Sequence, residues 1–429
     1  MGALAAWVHG TAVYHLCPGK KAITEGQGKP GDERMALGAL IGAYQEDDSG
    51  GLRALLPLTG QTLLEYQVRC AAAAGAAPIV VVVERIPPAL HETFERLRLD
   101  GFPVITVSEG DEAASRFEAG SLILVIADGI VAPAELLVRL AEEPEPAVVT
   151  LPDDEAHEAF ERIDGSSRWA GLALVEARTL SATAAMLGDW DLQSTMLRRT
   201  LQEGALRIAA TPGVEEPLLV DRAEQLNALE RNLIVASRGI RRDWASRFVL
   251  PVIEEFATER LMETRVRPEW LIWGALALTL ASALAFTRGW LAPALALLVV
   301  STPLDLVARR LATLRLRPLP RRLLSRRLLW PAAGLAFVAV GLWSMRNGAG
   351  WGALFAAVTA CAFAEAGRIE RSASDVPGQV WLFSRRNAIL AAVPFGVAGA
   401  WVSYLVCAAL YAAGSFFFVQ HVRHEIADD

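Results

Sequence analysis

Ser301–Trp330, STPLDLVARRLATLRLRPLPRRLLSRRLLW, decides how the chain is read. It leaves an apolar segment through one acid, Asp305, and then carries eight arginines with no further carboxylate until Glu365. Arginine clusters between long apolar runs mark loops that stay on the cytoplasmic side of a membrane. Downstream there is little but apolar helix-length sequence. Upstream, short apolar runs alternate with amphipathic stretches, the pattern of βαβ units on a parallel sheet.

The bulk composition mixes these two parts. Over 429 residues, 53% hydrophobic content is high for a soluble chain, while 21% charged is ordinary. The acids sit mostly before Arg267, so the negative charge behind the formal net of -7 belongs to the first part and the second is basic. A sequence pI near 5.6 gives no support to nucleic-acid binding. Cys17, Cys70, Cys361 and Cys407 are scattered without a CxxC pair, and the histidines show no ligand spacing, so neither a disulfide framework nor a zinc site is implied. The apolar start, Met1–Cys17, has its lysines after the apolar part, the wrong order for a secretory signal. Ala6 stands where an N-myristoylation site wants Ser or Thr. Residues 1–34 read as a disordered leader rich in Gly, Lys and Glu towards its end, with order beginning near Met35.

In the second part the apolar runs are Trp270–Phe286, Trp290–Leu304, Leu328–Met345, Trp351–Ala364 and Ala388–Gln420. About 20 apolar residues cross a bilayer. The last run is long enough for two helices, with Pro394, Gly396 and Gly399 allowing the turn, so the spacing predicts an all-α membrane domain of six spans over residues 268–422. The eight arginines, with Arg368, Arg371, Arg385 and Arg386, place the loops after the second and fourth spans on the cytoplasmic side of an inner membrane. The soluble domain and both termini follow to that side. Between the two parts, residues 231–267 read as juxtamembrane helices, with Trp244, Phe248, Leu250 and Ile253 on an amphipathic helix lying at the interface or packed as a linker.

In the first part the spacing predicts strands over Leu37–Ala43, Ile79–Val83, Pro103–Val107, Leu122–Ala127 and Ala147–Leu151. Helices are predicted over Gln61–Ala74, Pro88–Leu97, Asp111–Phe117 and Pro133–Glu142. Ligands on such sheets bind beyond the carboxyl ends of the strands. Two loops lie there: Gly42–Arg69, GAYQEDDSGGLRALLPLTGQTLLEYQVR, and Ile126–Gly129 with Asp128 at its centre.

Arg53-Ala54-Leu55-Leu56-Pro57, followed by GQTLLEYQVRCAAAAGAAPIVVVV, resembles the sugar-phosphate nucleotidyltransferase family over residues 35–230. The resemblance implies a Rossmann-like α/β domain with a nucleotide held by Gly50, Gly51 and Arg53, and Mg²⁺ at Asp128 and Asp221. Arg168–Leu174 resembles the acceptor-side strand. In the closing element, Leu218–Leu226, Leu219 replaces the first of two expected acids. Glu46, Asp47 and Asp48 stand where that family carries a basic loop, and carboxylates there repel a triphosphate unless a metal intervenes. Read without the family, the loop is a solvated acidic turn and Asp128 a turn or cap residue.

Val300–Thr313 is similar to the signature of the CDP-alcohol phosphatidyltransferases, in which four aspartates hold two divalent metals. Asp305 keeps the first acid and Ala312 the signature alanine, while Ala308, Arg309 and Thr313 replace the second acid, its glycine and the arginine. One carboxylate among guanidinium groups does not balance two divalent cations. The whole chain thus resembles bifunctional fusions that make a CDP-alcohol and transfer it to lipid, a class that is typically dimeric, with both signatures eroded. Two functions follow. One is a non-catalytic membrane protein of a polar-lipid pathway, a scaffold, regulator or anionic-lipid binder, with Arg309, Arg310, Arg321, Arg322, Arg326 and Arg327 around a head group. The other is a nucleotidyltransferase that activates a phosphorylated alcohol with CTP or another nucleotide. In either, Asp305 is the candidate metal ligand of the membrane part. A transporter fits less well, since Asp305 and Glu365 are the only acids of the spans and no internal repeat is visible.

Overall fold

The computed structural model describes residues 36–187, 192–213, 215–237, 241–262, 264, 266–317, 319, 323–371 and 378–428. The leader and the arginines 321 and 322 lie outside them. The chain divides after Ala236 into two units.

In the first unit, β1 (Leu37–Gly42) ends in the acidic loop, which returns through the two-residue strands β2 (Pro57–Leu58) and β3 (Gln61–Thr62) to α1 (Leu63–Ala73). There follow β4 (Ile79–Val82), α2 (Pro88–Leu99), β5 (Val104–Val107), α3 (Gly110–Ala114), β6 (Leu122–Ile126), β7 (Ile130–Val131), α4 (Ala134–Ala141) and β8 (Ala147–Pro152). The unit closes with β9 (Ser167–Glu176), α5 (Ala177–Leu187), α6 (Leu192–Gln202), β10 (Leu206–Ala209), β11 (Leu218–Leu219) and α7 (Ala223–Ala236). The main sheet runs β10-β8-β9-β6-β1-β4-β5. Only β9 is antiparallel to its neighbours. β1 and β6 are central and buried almost throughout, which is why they read as continuous apolar runs rather than alternating ones. α1 starts on a capping box: Thr62 Oγ1 accepts from the Glu65 amide and Glu65 returns a bond to the Thr62 amide. Glu65, buried at 3% exposure, is held below the ordinary carboxylate range by Arg96, the Thr62 amide and Arg69, which together outweigh its desolvation.

In the second unit a π turn, Ala245–Val249, leads into α8 (Pro251–Met262). Then come α9 (Pro268–Thr287), α10 (Leu291–Leu314), α11 (Leu324–Ser344), α12 (Trp351–Arg371), α13 (Arg385–Val397) and α14 (Trp401–Asp428). Five of these, α9, α10, α11, α12 and α14, are long and apolar enough to cross a membrane. Six spans were expected. The segment read as the fifth is α13, whose 13 residues reach only about 20 Å at 1.5 Å per residue, against about 30 Å of bilayer hydrocarbon. Asp305, Arg309 and Arg310 all lie on α10, which continues ten residues past the expected end of its span at Leu304. Small residues make the helix contacts: Gly341 has Ala357 so close that an added methyl would lie 2.8 Å from its Cβ.

α8 is polar inward and apolar outward. Glu254, Thr258 and Met262 are buried at every fourth position, while Val252 and Phe256 are 78% and 72% exposed and Phe248 and Ile253 also face out. This is the polarity of a helix lying in a membrane interface. Phe248 and Ile253 thus lie on the outer face, as the amphipathic reading had them. Leu250 departs from that reading and is buried.

Arg315, one of the eight arginines, has a structural task. Its guanidinium donates to the carbonyls of Val266 (2.7 Å), Thr264 (2.8 Å) and Leu261 (3.2 Å), fastening the end of α8 to the end of α10. Removing it strands several carbonyls at about 1–3 kcal/mol each where they stay dry. Arg315→Ala is expected to lower the melting temperature of the detergent-purified protein, read by intrinsic tryptophan fluorescence, far more than Arg327→Ala on the exposed side of α11.

Candidate functional site

The residues expected to bind nucleotide and metal in the first unit do converge at the carboxyl ends of β1 and β6. β11 pairs with β7, and the Val220 amide donates to the Gly129 carbonyl at 2.8 Å, bringing Asp221 to the loop of Asp128. The Asp48 amide donates to the Asp221 carbonyl at 3.4 Å, and Arg222 pairs with Asp48 at 2.5 Å. Gly129 is obligatory at this junction. Its φ is +74°, and a Cβ would lie 2.8 Å from the Val220 carbonyl and 3.2 Å from Arg53 Cδ.

Within the loop, the groups that should face a phosphate are turned on the loop itself. Asp47 Oδ1 accepts from the Ser49 and Gly51 amides at 2.8 Å each and from Ser49 Oγ at 2.7 Å. The Asp47 carboxyl is held below its ordinary range by the Ser49 hydroxyl above all, aided by those amides. A concavity of backbone N–H groups is an anion site; here the chain's own aspartate fills it. Arg53 donates to Gln45 Oε1 at 2.7 Å and to the Glu46 carbonyl at 3.0 Å, and Glu46 pairs with Arg85. Gly50, at φ +80°, has open space around it and supplies the turn. The signal for this arrangement was in the sequence: Asp-Asp-Ser-Gly-Gly is Asx-turn chemistry.

Asp128 is different in kind. It is 3% exposed, and its Oδ2 accepts from the Tyr44 and Gln45 amides at 2.7 Å each. Its Oδ1 is buried without a hydrogen-bond partner, as is Asp221 Oδ1. Burial pushes the Asp128 carboxyl up to about 6, against the pull of the two amides and Arg53. These two orphaned oxygens are where a divalent cation would find ligands in this unit. No group of three His, Cys, Asp or Glu side chains able to hold a metal occurs among the described residues. Mg²⁺ there would complete its octahedron with water and substrate phosphates, as it commonly does.

In the second unit Asp305, the candidate metal ligand, is 4% exposed and ringed by guanidinium groups. Oδ1 lies 2.9 Å from Arg385 Nη2, and Oδ2 lies 2.6 Å from Arg386 Nη2 and 3.5 Å from Arg309. Arg386 continues to Asp243 at 2.7 Å. Glu254 is shared by Arg310 and Arg241 at 3.5 and 3.6 Å. Arg310, expected at a head group, is 2% exposed and donates to Ser237 Oγ at 3.0 Å; it belongs to the interior. Arg326 and Arg327 are exposed at the start of α11. The sequence used Arg385 and Arg386 only for topology. Their signal as partners of a buried acid was a double arginine directly after a Ser helix cap, opening an apolar run.

No family model and no curated protein matches the chain. Among solved structures it is similar to one described as a glucose-1-phosphate thymidylyltransferase from Bacillus anthracis in complex with a sucrose, at 12% identity and a TM-score of 0.38, over 46% of this chain and 96% of that one. A likeness at that level bears no weight for chemistry.

Asp128 supplies a direct test of its own environment. A carboxyl raised from 3.8 to about 6 binds a proton in the fold that it loses when unfolded, so its effect on stability worsens as pH climbs through that window. The shift corresponds to about 3 kcal/mol at most. Asp128→Asn keeps an acceptor for both amides and removes the charge. It is expected to raise the melting temperature at pH 7 and to flatten its fall between pH 4 and 7; an unchanged profile would show that Asp128 is solvated or ion-bound.

Proposed function

We propose that this chain is a multi-pass membrane protein of a polar-lipid pathway that holds an anionic head group at its arginine-rich helix ends and does not carry out metal-dependent transfer. The observation that carries this reading is the state of Asp305. A divalent metal needs carboxylate oxygens free to coordinate it. Both oxygens of Asp305 are instead taken by Arg385 and Arg386, with Arg309 close by. The second acid of the resembled signature is Ala308, which is fully buried and carries no ligand atom. Guanidinium forks stand where a transferase would need cations, and they satisfy the same charge without the chemistry: they cannot polarise a diphosphate and exchange ligands as Mg²⁺ does.

The soluble unit fits the same reading. Its phosphate nest is closed by Asp47, and Arg53 is engaged by Gln45 and Glu46. In this role the unit is a cytosolic platform for partner proteins, and two copies of the chain would form the assembly.

The orphaned oxygens of Asp128 and Asp221 favour a second reading, nucleotide activation in the soluble unit with Mg²⁺. The two separate cleanly. Titration of the purified protein with CTP and other nucleotides would give a magnesium-dependent thermal shift, lost in Asp128→Ala, under the second reading and none under the first.

For the membrane unit the expectation is that EDTA and added Mg²⁺ leave the melting temperature unchanged, whereas Asp305→Asn lowers it. Removing one partner of a buried ion pair costs about 3–5 kcal/mol, because the other charges stay behind unneutralised. Magnesium-dependent stabilisation that disappears in Asp305→Asn would overturn the proposal and restore a metal site.

A further inference from the structure

The ion pairs around Asp305, among the described residues, bring together more guanidinium groups than carboxylates. Among the described residues the network holds three carboxylates, Asp243, Glu254 and Asp305, against five guanidinium groups in ion pairs with them. Arg386 is fully used, with Asp305 on one side and Asp243 on the other. Arg241 and Arg310 share Glu254. Arg385 and Arg309 are left to divide what remains of Asp305.

Arg385 shows the consequence atom by atom. Its side chain is 9% exposed, and Nη2 reaches Asp305 at 2.9 Å. Nη1 is buried and makes no hydrogen bond. A buried, charged donor without an acceptor is costly, and native structures rarely leave one without a reason. Arg309 lies on the open side of the same group, 50% exposed and 3.5 Å from Asp305. Arg326 is close enough to Arg309 for their charges to interact. One buried fork with a spare N–H and two neighbours reaching solvent make a cradle for an oxyanion. Guanidinium favours phosphate because its planar donors match two oxygens at once.

We infer that Arg385 Nη1, Arg309 and Arg326 bind the phosphate group of a phosphate ester, with Asp305 and Arg386 staying paired beneath it. A monoester, with up to two negative charges, would answer these guanidinium groups better than a diester with one. No metal takes part, and the phosphate is held rather than transferred. The site rests on the reading of Asp305 as an arginine-held residue and gives that reading a ligand class. It differs from the six-arginine head-group set read from the sequence: Arg310 is excluded and Arg385 is added.

The test uses the full chain in a sugar-headgroup detergent, with and without added phosphatidic acid, and follows the melting temperature as glycerol 3-phosphate is added. A rise with glycerol 3-phosphate in detergent alone supports the site with a soluble ester as ligand. A rise only with phosphatidic acid supports it with a lipid phosphate. Arg385→Lys keeps a cation beside Asp305 but loses the fork, and is expected to weaken the response about tenfold, the worth of one charge-assisted hydrogen bond. Arg309→Gln and Arg326→Gln, on solvent-reaching side chains, should weaken it in the same direction and carry the test if Arg385→Lys does not fold. No response to either probe in wild-type protein, or responses unchanged in all three variants, would overturn the site. If magnesium ions alone raise the melting temperature, the reading of Asp305 has failed; if they do not and neither phosphate probe acts, only the site has.

Discussion

A single carboxylate, Asp305, organises the basic end of the second unit. It lies on a helix otherwise apolar enough to cross a bilayer, and three guanidinium groups from two helices converge on it. Charge at that depth is costly unless paired. The pairing fixes the positions of the elements that bring the partners: α13, through Arg385 and Arg386, and the segment before α8, through Asp243. Asn387, one residue along, adds a neutral tie. Its Oδ1 accepts from the Ala245 amide at 3.1 Å and its Nδ2 donates to the Leu382 carbonyl at 2.9 Å. The short helix α13 is therefore placed by polar contacts at its start, whereas α9, α10 and α11 pack along apolar and small-residue faces.

Much of the sheet was legible in the sequence because central parallel strands are apolar throughout. Leu37–Gly42, Ile79–Val82 and Leu122–Ile126 announce themselves as short runs flanked by turn residues. β10 did not, being a four-residue edge strand with three exposed positions. β9 was visible only in part, since Gly171 interrupts an otherwise ten-residue strand. In the second unit the apolar runs gave the long helices, but hydropathy cannot see where a run becomes too short to cross. Pro394 and the glycines suggested a turn between two spans; the chain makes that turn after a helix of only 13 residues.

The candidate sites were legible in position and not in state. The family resemblance implied that Asp128, Asp221 and the Gly50–Arg53 loop lie together, and they are together. What spacing could not give is who satisfies whom. Glu46, Asp47 and Asp48 look alike as a string of acids, yet Glu46 answers Arg85, Asp48 answers Arg222, and Asp47 turns inward onto backbone amides. Likewise the eight arginines of Ser301–Trp330 form one run on paper. Arg315 ties off carbonyls, Arg310 is buried on Glu254, and Arg309 is half exposed beside Asp305. Such assignments depend on partners far off in the chain, which composition does not record.

The separation of those partners bears on the order in which the protein is made. Arg385 and Arg386 follow Asp305 by 80 and 81 residues. When α10 emerges from the ribosome, Arg309, one turn further along the same helix, is the only one of the three yet synthesised, and its contact is the longest of them. Asp305 thus waits through the synthesis of α11 and α12 for its closest counter-charges. The start of α13 acts as a latch: until it arrives, the helices before it can gather but their buried acid is not neutralised, and a nascent chain stopped short of Arg385 would carry that defect into every attempt to fold.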